Sequence, residues 1–376
     1  MQKTLRIGIL GGGQLGRMLL QVAANYPVET FVLESGKKPP AASLCHHFIE
    51  GDIKNHDAVY NFGKLVDVLT IEIEHVNIEA LFKLEEEGLK VFPNPQALKI
   101  IKDKGLQKEF YKKHNIPTSE FHLINRKHEL NSYLNFLPVA QKIRSGGYDG
   151  KGVEILRESE DFHKAFDAPS VIERLVSIDK EISVIVAKNE NGETAVYPPV
   201  EMVIDSRYNL VDYLISPADL TAEQTTLSQQ IALDVMNALN SPGIFAVEMF
   251  LDTKGKILVN ETAPRAHNSG HQSIEGNYCS QYDMQMRVLQ NLAPGCTEAI
   301  KPSLMLNLIG EPDHSGPVIY KGLEEVLKLK GVYLHLYGKH ETKPGRKMGH
   351  VTILGDDKAE LLEKAKTIKQ TLKVLA

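Results

Sequence analysis

Apolar and polar positions change rhythm along the chain. "LRIGIL", Leu5 to Leu10, is an almost unbroken apolar run, the pattern of a strand buried on both faces of a parallel sheet. Gln14 to Ala24 then carries Leu15, Leu19 and Val22 at helical spacing. Val28 to Leu33 and "VDVLTIEIEHV" return to the strand pattern. Strands alternating with short helices predict an open parallel sheet up to about residue 95. "FPNPQA", residues 92–97, punctuates the chain. "ALKIIKDKGLQKEFYKKHNIP" reads as one helical run whose apolar side is Leu98, Ile101, Leu106 and Phe110, ended by Pro117.

From Pro138 the pattern becomes antiparallel. "PVAQKI" is a strand leading into the glycine-rich "RSGGYDGKGVEIL", and "SVIERLV" is short and apolar. "EISVIVAKNENGETAVYPPVEMV" reads as a hairpin turning at Asn191-Gly192. "GIFAVEMFLDTKGKILVNETAPR" is a second hairpin turning near Lys254-Gly255. Beyond Lys301 come short strands such as "GVYLHLYG" and a final helix after Asp357. There is no internal repeat.

Composition narrows the class. A chain of 376 residues predicts two or three domains. Three cysteines with no CxxC pair argue for a reducing compartment and against a structural zinc site. A net charge of -5 argues against a broadly basic nucleic-acid surface. No apolar run is long enough to span a bilayer, and the first residues do not read as a signal peptide. A cytoplasmic location with neither nucleic acid nor membrane as partner is the expectation.

Two glycine-rich stretches carry candidate chemistry. Gly11, Gly13 and Gly16 have the G-x-G-x-x-G spacing between a strand and a helix, and Glu34 ends the next strand, which is the fingerprint of a dinucleotide site. "GGYDGKG", with Lys142 before it and Lys151 within it, is either a mobile turn or a loop whose N–H groups cover phosphate oxygens. It is not a Walker A loop, because the G-K-[ST] ending is absent.

The second hairpin places Glu248 and Glu261 at or near opposite positions, both on one face. Facing carboxylates repel, and a divalent cation with hard oxygen ligands removes the repulsion. The alternative is a solvated hairpin, although Glu248 interrupts an otherwise apolar "IFAVEMF". In a regular strand Asn260 would point to the other face. "APRAHNSGHQS" and "KPGRKMGH" mix Arg, His and Gly as an anion or small-substrate site does, and as an exposed loop also does.

"GGGQLGRM", "KDK", "SGGYDGKG", "IERLV", "VEMF", "VNETAPRAHNSGH" and "PGRKMGH" together resemble the N5-carboxyaminoimidazole ribonucleotide synthetase family, the ATPase-subunit type of phosphoribosylaminoimidazole carboxylase. The resemblance runs from Leu5 past His350. It implies an ATP-grasp fold, α/β and α+β in several domains. Residues 1–96 would form a Rossmann-like pre-ATP-grasp domain and 97–300 the ATP-grasp domain, with a lid at about 118–178. Residues 301–376 would form a small C-terminal domain packing on the ATP-grasp core. The implied reaction is carboxylation of 5-aminoimidazole ribonucleotide by bicarbonate and ATP through carboxyphosphate, in purine biosynthesis. The implied cofactor is Mg²⁺, with Mn²⁺ able to substitute and no biotin. The implied partners are a second copy of the chain and a mutase that takes the product.

The resemblance also assigns roles. Lys104 and Lys142 would meet ATP phosphates. Gly147, Tyr148, Gly150 and Lys151 would close over ATP, with Tyr148 and Asp149 facing the aminoimidazole ribonucleotide. Glu173, Leu175 and Val176 would line the adenine strand and Glu181 would hold the ribose. Glu248 and Glu261 would bind the metal, with Asn260 nearby. Gln14, Leu15 and Glu72 would lie on the ribonucleotide's side, as would His267, Asn268 and Ser269. Asp149, His271, Arg346 and Lys347 would serve catalysis, with His267 close enough to exchange roles with His271. Ser145 stands where the family often has a basic residue, while Arg144 remains. Under this resemblance Glu34 is a false cue for NAD. Rival readings are another ATP-grasp ligase such as a formate-dependent glycinamide ribonucleotide transformylase, an NAD-dependent oxidoreductase, and a non-catalytic nucleotide sensor.

Overall fold

A computed structural model describes residues 4–147, 152–205 and 210–376. The N-terminal sheet has five parallel strands: β1 (Leu5–Leu10), β2 (Val28–Glu34), β3 (His47–Glu50), β4 (Val68–Ile71) and β5 (Lys90–Phe92). Their order is β3-β2-β1-β4-β5, so the chain reverses direction across β1. Ile7 and Ile9 of β1, Val32 of β2 and Val68 of β4 pack with Met18, Leu19 and Leu20 of helix α1 (Gln14–Ala23). The same cluster takes Tyr282, Met286 and Leu289 from the helix Gln281–Leu289, which ties this sheet to the rest of the molecule.

The expected helix after residue 97 is two helices, Pro95–Lys102 and Lys104–Lys113. Asp103 separates them. Its backbone is extended and its carboxylate accepts the N–H groups of Gly105 and Leu106, so it caps the second helix. Leu106, expected on the apolar side, is exposed. It lies in the first turn of that second helix, where the break has reset the facing.

A four-stranded antiparallel sheet follows, in the order Phe121–Ile124, Ser170–Arg174, Val139–Ile143, Val153–Leu156. The largest sheet has nine strands. Along it run Ile257–Ala263, Gly243–Asp252, Ile178–Lys188, Val200–Asp205, Leu210–Ser216, Ser303–Ile309, Lys347–Leu354 and Val332–Leu336, with Thr194–Val196 paired beside Ile178–Lys188. The C-terminal strands therefore extend the central sheet through the pairing of Leu210–Ser216 with Ser303–Ile309. One face of its central strands, with Val184, Phe245 and Val247, is covered by helix Ala222–Leu239 through Ile231, Val235 and Met236. A capping box of Thr221 and Gln224 starts that helix. The other face is covered at one end by the helix Gln281–Leu289, whose Met284 and Val288 pack on Ile185, Ile244 and Ala246, and the rest of it carries the site.

Candidate active site

The second hairpin carries the carboxylate pair, for a reason the sequence pattern did not contain. Near the turn, Leu251 pairs with Ile257 and Met249 with Val259, a ladder centred on Lys254. Continued regularly, it would set Asn260 opposite Glu248 and turn Glu261 away. A bulge between Glu248 and Met249 adds one residue, so Glu248 pairs with Glu261. Asn260 is the extra residue. It does not turn to the opposite face: its Oδ1 accepts a hydrogen bond from Lys142 Nζ at 2.7 Å, beside Glu261.

Burial pushes the Glu248 carboxyl well above the usual range, and the charges of Glu261 and Glu181 push it further. Glu261 moves the opposite way, because Lys104 Nζ lies against its carboxylate and outweighs burial. Burial acts to lower Lys104, and Glu261 overcomes it and holds the ammonium charged. His267 Nε2 stands 3.5 Å from Glu248 Oε1. Ser183, the partner of Glu248 in the next strand, bonds to Ser269 at 2.8 Å and so ties the loop after the hairpin to the sheet.

The lysines come from two elements. Lys142 lies near the end of the strand Val139–Ile143, and Lys104 opens the helix Lys104–Lys113. Two interactions hold these ends together. The guanidinium of Arg144 grips the Asp103 carboxylate at 2.8 and 2.9 Å, and Lys104 N–H donates to Arg144 O at 2.9 Å. Glu173 lies between Lys142, at 3.0 Å, and Lys108, at 2.8 Å. Burial alone would raise Glu173, but the two lysines take it down to about 2. Lys108 was not singled out from the sequence. Its spacing of four from Lys104 on a helix was the available signal, because i and i+4 share a face.

Leu175 and Val176 lie where the chain passes from the strand Ser170–Arg174 to the central strand Ile178–Lys188, and Leu175 N–H donates to Pro138 O at 3.1 Å. Glu181 begins the inner part of that central strand, and burial raises it while Lys142 lowers it. Gly147 is at the edge of the described residues. Tyr148, Asp149, Gly150 and Lys151 lie outside them.

The loop 265–271 separates into side chains near the carboxylates and side chains behind them. Arg265 pairs with Glu74 at 2.9 Å. Asn268 and Asn307 exchange two amide hydrogen bonds at 3.0 and 3.1 Å, and Ser269 is fully buried, so both order the loop from within. His271, expected among the reacting groups, is fully buried in a column of rings. It lies 4.8 Å from His350, which lies 4.4 Å from His335. Gln281 Nε2 and the Tyr282 hydroxyl approach its Nδ1 at 2.9 and 3.2 Å, and burial drives its pKa far down. His271 is a neutral core group, and His267 is the histidine on the carboxylates. The charge of Lys347 acts on both Glu248 and His271. Arg346 leads into the strand of Lys347 and donates to Glu341 O at 2.8 Å.

The N-terminal glycine turn is filled from within. Glu72, at the end of β4, accepts Gly13 N–H at 2.6 Å and Gly16 N–H at 2.5 Å. A Cβ on Gly11, Gly13 or Gly16 would meet the Glu72 side chain at 2.3, 2.4 or 3.0 Å. Glu34 takes Gly12 N–H at 3.0 Å. The donors that would bind a dinucleotide pyrophosphate are spent on two of the protein's own carboxylates. Gln14, at the same helix start, accepts from Lys339 Nζ at 2.6 Å, and Leu15 packs beside Glu72 and Arg265.

Three protein families match in succession. Residues 4–102 match the ribonucleotide synthetase preATP-grasp domain, 109–282 the ATP-grasp domain, and 303–364 the phosphoribosylaminoimidazole carboxylase C-terminal domain. The N5-carboxyaminoimidazole ribonucleotide synthase of Aquifex aeolicus is 35% identical over 376 residues, covering 98% of this chain and 97% of its own. The crystal structure of N5-carboxyaminoimidazole ribonucleotide synthetase from Thermotoga maritima superposes with a TM-score of 0.92 at 40% identity, over 99% of this chain and 100% of that one. The Aspergillus clavatus N5-carboxyaminoimidazole synthase, in complex with ADP and 5-aminoimidazole ribonucleotide, superposes with a TM-score of 0.90 at 31% identity, over 99% of each chain. Phosphoribosylaminoimidazole carboxylases of plant and yeast are longer, and the chain spans 64% of the Vigna aconitifolia protein.

Proposed function

Because the chain belongs to the N5-carboxyaminoimidazole ribonucleotide synthase family, we propose that it joins bicarbonate to the exocyclic amine of 5-aminoimidazole ribonucleotide at the expense of ATP. The observation that carries this reading is the pairing of Glu248 with Glu261 under Lys104, Lys142 and His267. The family's ADP-bound and acceptor-bound relative supports the same substrates. Residues 97–300 would handle ATP, residues 1–96 the acceptor nucleotide, and 301–376 would close the site through Arg346 and Lys347.

The donor set fits Mg²⁺. Two hard carboxylates face each other, burial and mutual repulsion raise one of them, and Asn260 adds an amide oxygen beside them. Among the described residues no three His, Cys, Asp or Glu side chains gather as a metal-holding cluster, so ATP phosphates would complete the coordination. Bound there, Mg²⁺ would offset charge on the transferring phosphoryl group.

Bicarbonate is a poor electrophile because its carbon bears an anionic oxygen system. Transfer of the γ-phosphoryl group to a bicarbonate oxygen breaks the bond to ADP and gives carboxyphosphate. Lys104 and Lys142 would stabilise the charge on that group. The acceptor's amine then attacks the carbonyl carbon, phosphate leaves, and the nitrogen loses a proton. Carboxyphosphate hydrolyses readily, so the glycine loop after Gly147 would serve by excluding water. A homodimer, a cytoplasmic location and hand-over of the product to a mutase belong to the same reading. No helix among the described residues is long and apolar enough to cross a membrane.

The test is ADP release from Mg-ATP and 5-aminoimidazole ribonucleotide, with and without bicarbonate, with prompt detection of the labile carboxylated product. Product and ADP formed together support the proposal. Turnover with formate and glycinamide ribonucleotide instead would move the chain to another ligase class.

A further inference from the structure

Lys108 is only 2% exposed, and no role in binding ATP or acceptor follows from its position. Its ammonium has three hydrogens and three acceptors: Glu173 Oε2 at 2.8 Å, Thr118 Oγ1 at 2.7 Å and Ser119 Oγ at 3.2 Å. Ser119 also donates to Glu173 Oε2 at 2.6 Å. The second oxygen of Glu173 is 3.0 Å from Lys142 Nζ yet forms no hydrogen bond, while Lys142 donates to Asn260. Glu173 thus takes Ser119 and Lys108 on the oxygen away from the site, and Lys142 faces its other oxygen as an ion pair while donating to Asn260.

Two ammonium groups share the Glu173 carboxylate, so at that carboxylate cations outnumber the anion by one, on the side that meets Asn260 and Glu261. Without Lys108, Glu173 and Lys142 would form a one-to-one pair, and Lys142 would present a weaker field to any anion. The arrangement is costly for the fold. Burial takes Lys108 down to about 8 against the upward pull of Glu173, and a whole buried ion pair is often replaced by apolar side chains without loss of stability, although removal of one partner alone is destabilising.

We propose that Lys108 is a positioning residue for nucleotide binding: by engaging Glu173 it keeps the Lys142 ammonium available to the phosphates. The proposal rests on the reading that Lys142 meets ATP phosphates. Its mark is a dependence on Glu173. Lys108→Met lowers the net charge at Lys142, and adding Glu173→Gln restores it. Thr118 and Ser119 keep other partners in Lys108→Met, since Thr118 also donates to Val259 O at 2.7 Å.

The experiment is calorimetric binding of Mg-ADP to wild type, Lys108→Met, Glu173→Gln and the double variant, with thermal melting of each. Lys108→Met should weaken binding about tenfold in the wild-type background. Adding Glu173→Gln to Lys108→Met should return binding to within about twofold of wild type, because it removes the carboxylate that Lys142 would otherwise pair with. Lys108→Gln, which keeps a donor without the charge, should weaken binding as Lys108→Met does, and it replaces that variant if the methionine chain does not fold. A double variant as weak as Lys108→Met would mark a packing effect and overturn the proposal, as would wild-type affinity in Lys108→Met. Wild-type protein that binds no ADP would overturn the nucleotide reading itself, and this proposal with it.

Discussion

Glu248 and Glu261 face each other across two neighbouring strands, and the bulged Asn260 is what brings them opposite. Glu181 of the next strand adds a third carboxylate charge toward Glu248, while Lys104 lies on Glu261 alone, so the pair is short of counter-charge. Removing divalent cations with EDTA should abolish turnover, and Mg²⁺ or Mn²⁺ should restore it. Glu248→Gln and Glu261→Gln should each lower kcat by at least about a hundredfold without unfolding the chain. Steady-state kinetics across a Mg²⁺ titration, with circular dichroism, checks this. Undiminished activity in either variant would remove that carboxylate from the metal's ligands.

Asp103 does two jobs, capping the helix of Lys104 and Lys108 and accepting the Arg144 guanidinium. Asp103→Ala loses the cap and half of a partly exposed ion pair, together about 2 kcal/mol. It should also raise KM for ATP more than it lowers kcat, because Lys104 and the strand Val139–Ile143 lose their common anchor. Urea denaturation and initial rates against ATP measure the two effects.

Acid stability should depend on Glu173. In the folded chain its carboxyl sits at about 2, below an ordinary glutamate, so on acidification the unfolded chain takes up the proton first. Its contribution is complete above about pH 5 and is lost as the pH falls toward 2, up to about 3 kcal/mol. Glu173→Gln should therefore flatten the decline in stability between pH 5 and pH 3 relative to wild type. Denaturant melts at stepped pH read the slope, and parallel slopes would refute the assignment.

The two histidines of the loop should separate cleanly. His267→Asn should lose most turnover while its melting temperature stays near wild type, since that ring lies on Glu248. His271→Asn should chiefly lose stability, by about 3 kcal/mol, through damage to a fully packed column of rings. Melting temperature and kcat, measured on the same preparations, distinguish them.

Much of this was legible beforehand, and the misses have local causes. The strand–helix alternation of residues 5–92 follows from apolar runs and glycine turns. The carboxylate pair was reachable because Glu248 breaks an apolar strand. Bulges have no composition signal in "ILVNETA", so the facing of Asn260 could not be derived from period two. Asp103 looked like a polar position inside a helix, because a cap between abutting helices differs from an interior residue only in backbone angles. His271 and His267 share one motif, and only packing against the strands of His335 and His350 says which is core. Lys108 was hidden for the opposite reason, as one lysine among several in a helix whose charged positions read as solvated.

The glycine turn at residues 11–16 bears on ligand choice in a way that pocket shape does not. Glu72 is tethered to the same fold as the donors it engages, so its hold on Gly13 and Gly16 is intramolecular, and a dissolved dinucleotide would have to compete with it. The turn behaves as a receptor shipped with its competitor attached. A nicotinamide cofactor would have to displace Glu72 before this helix start could offer its N–H groups to a pyrophosphate.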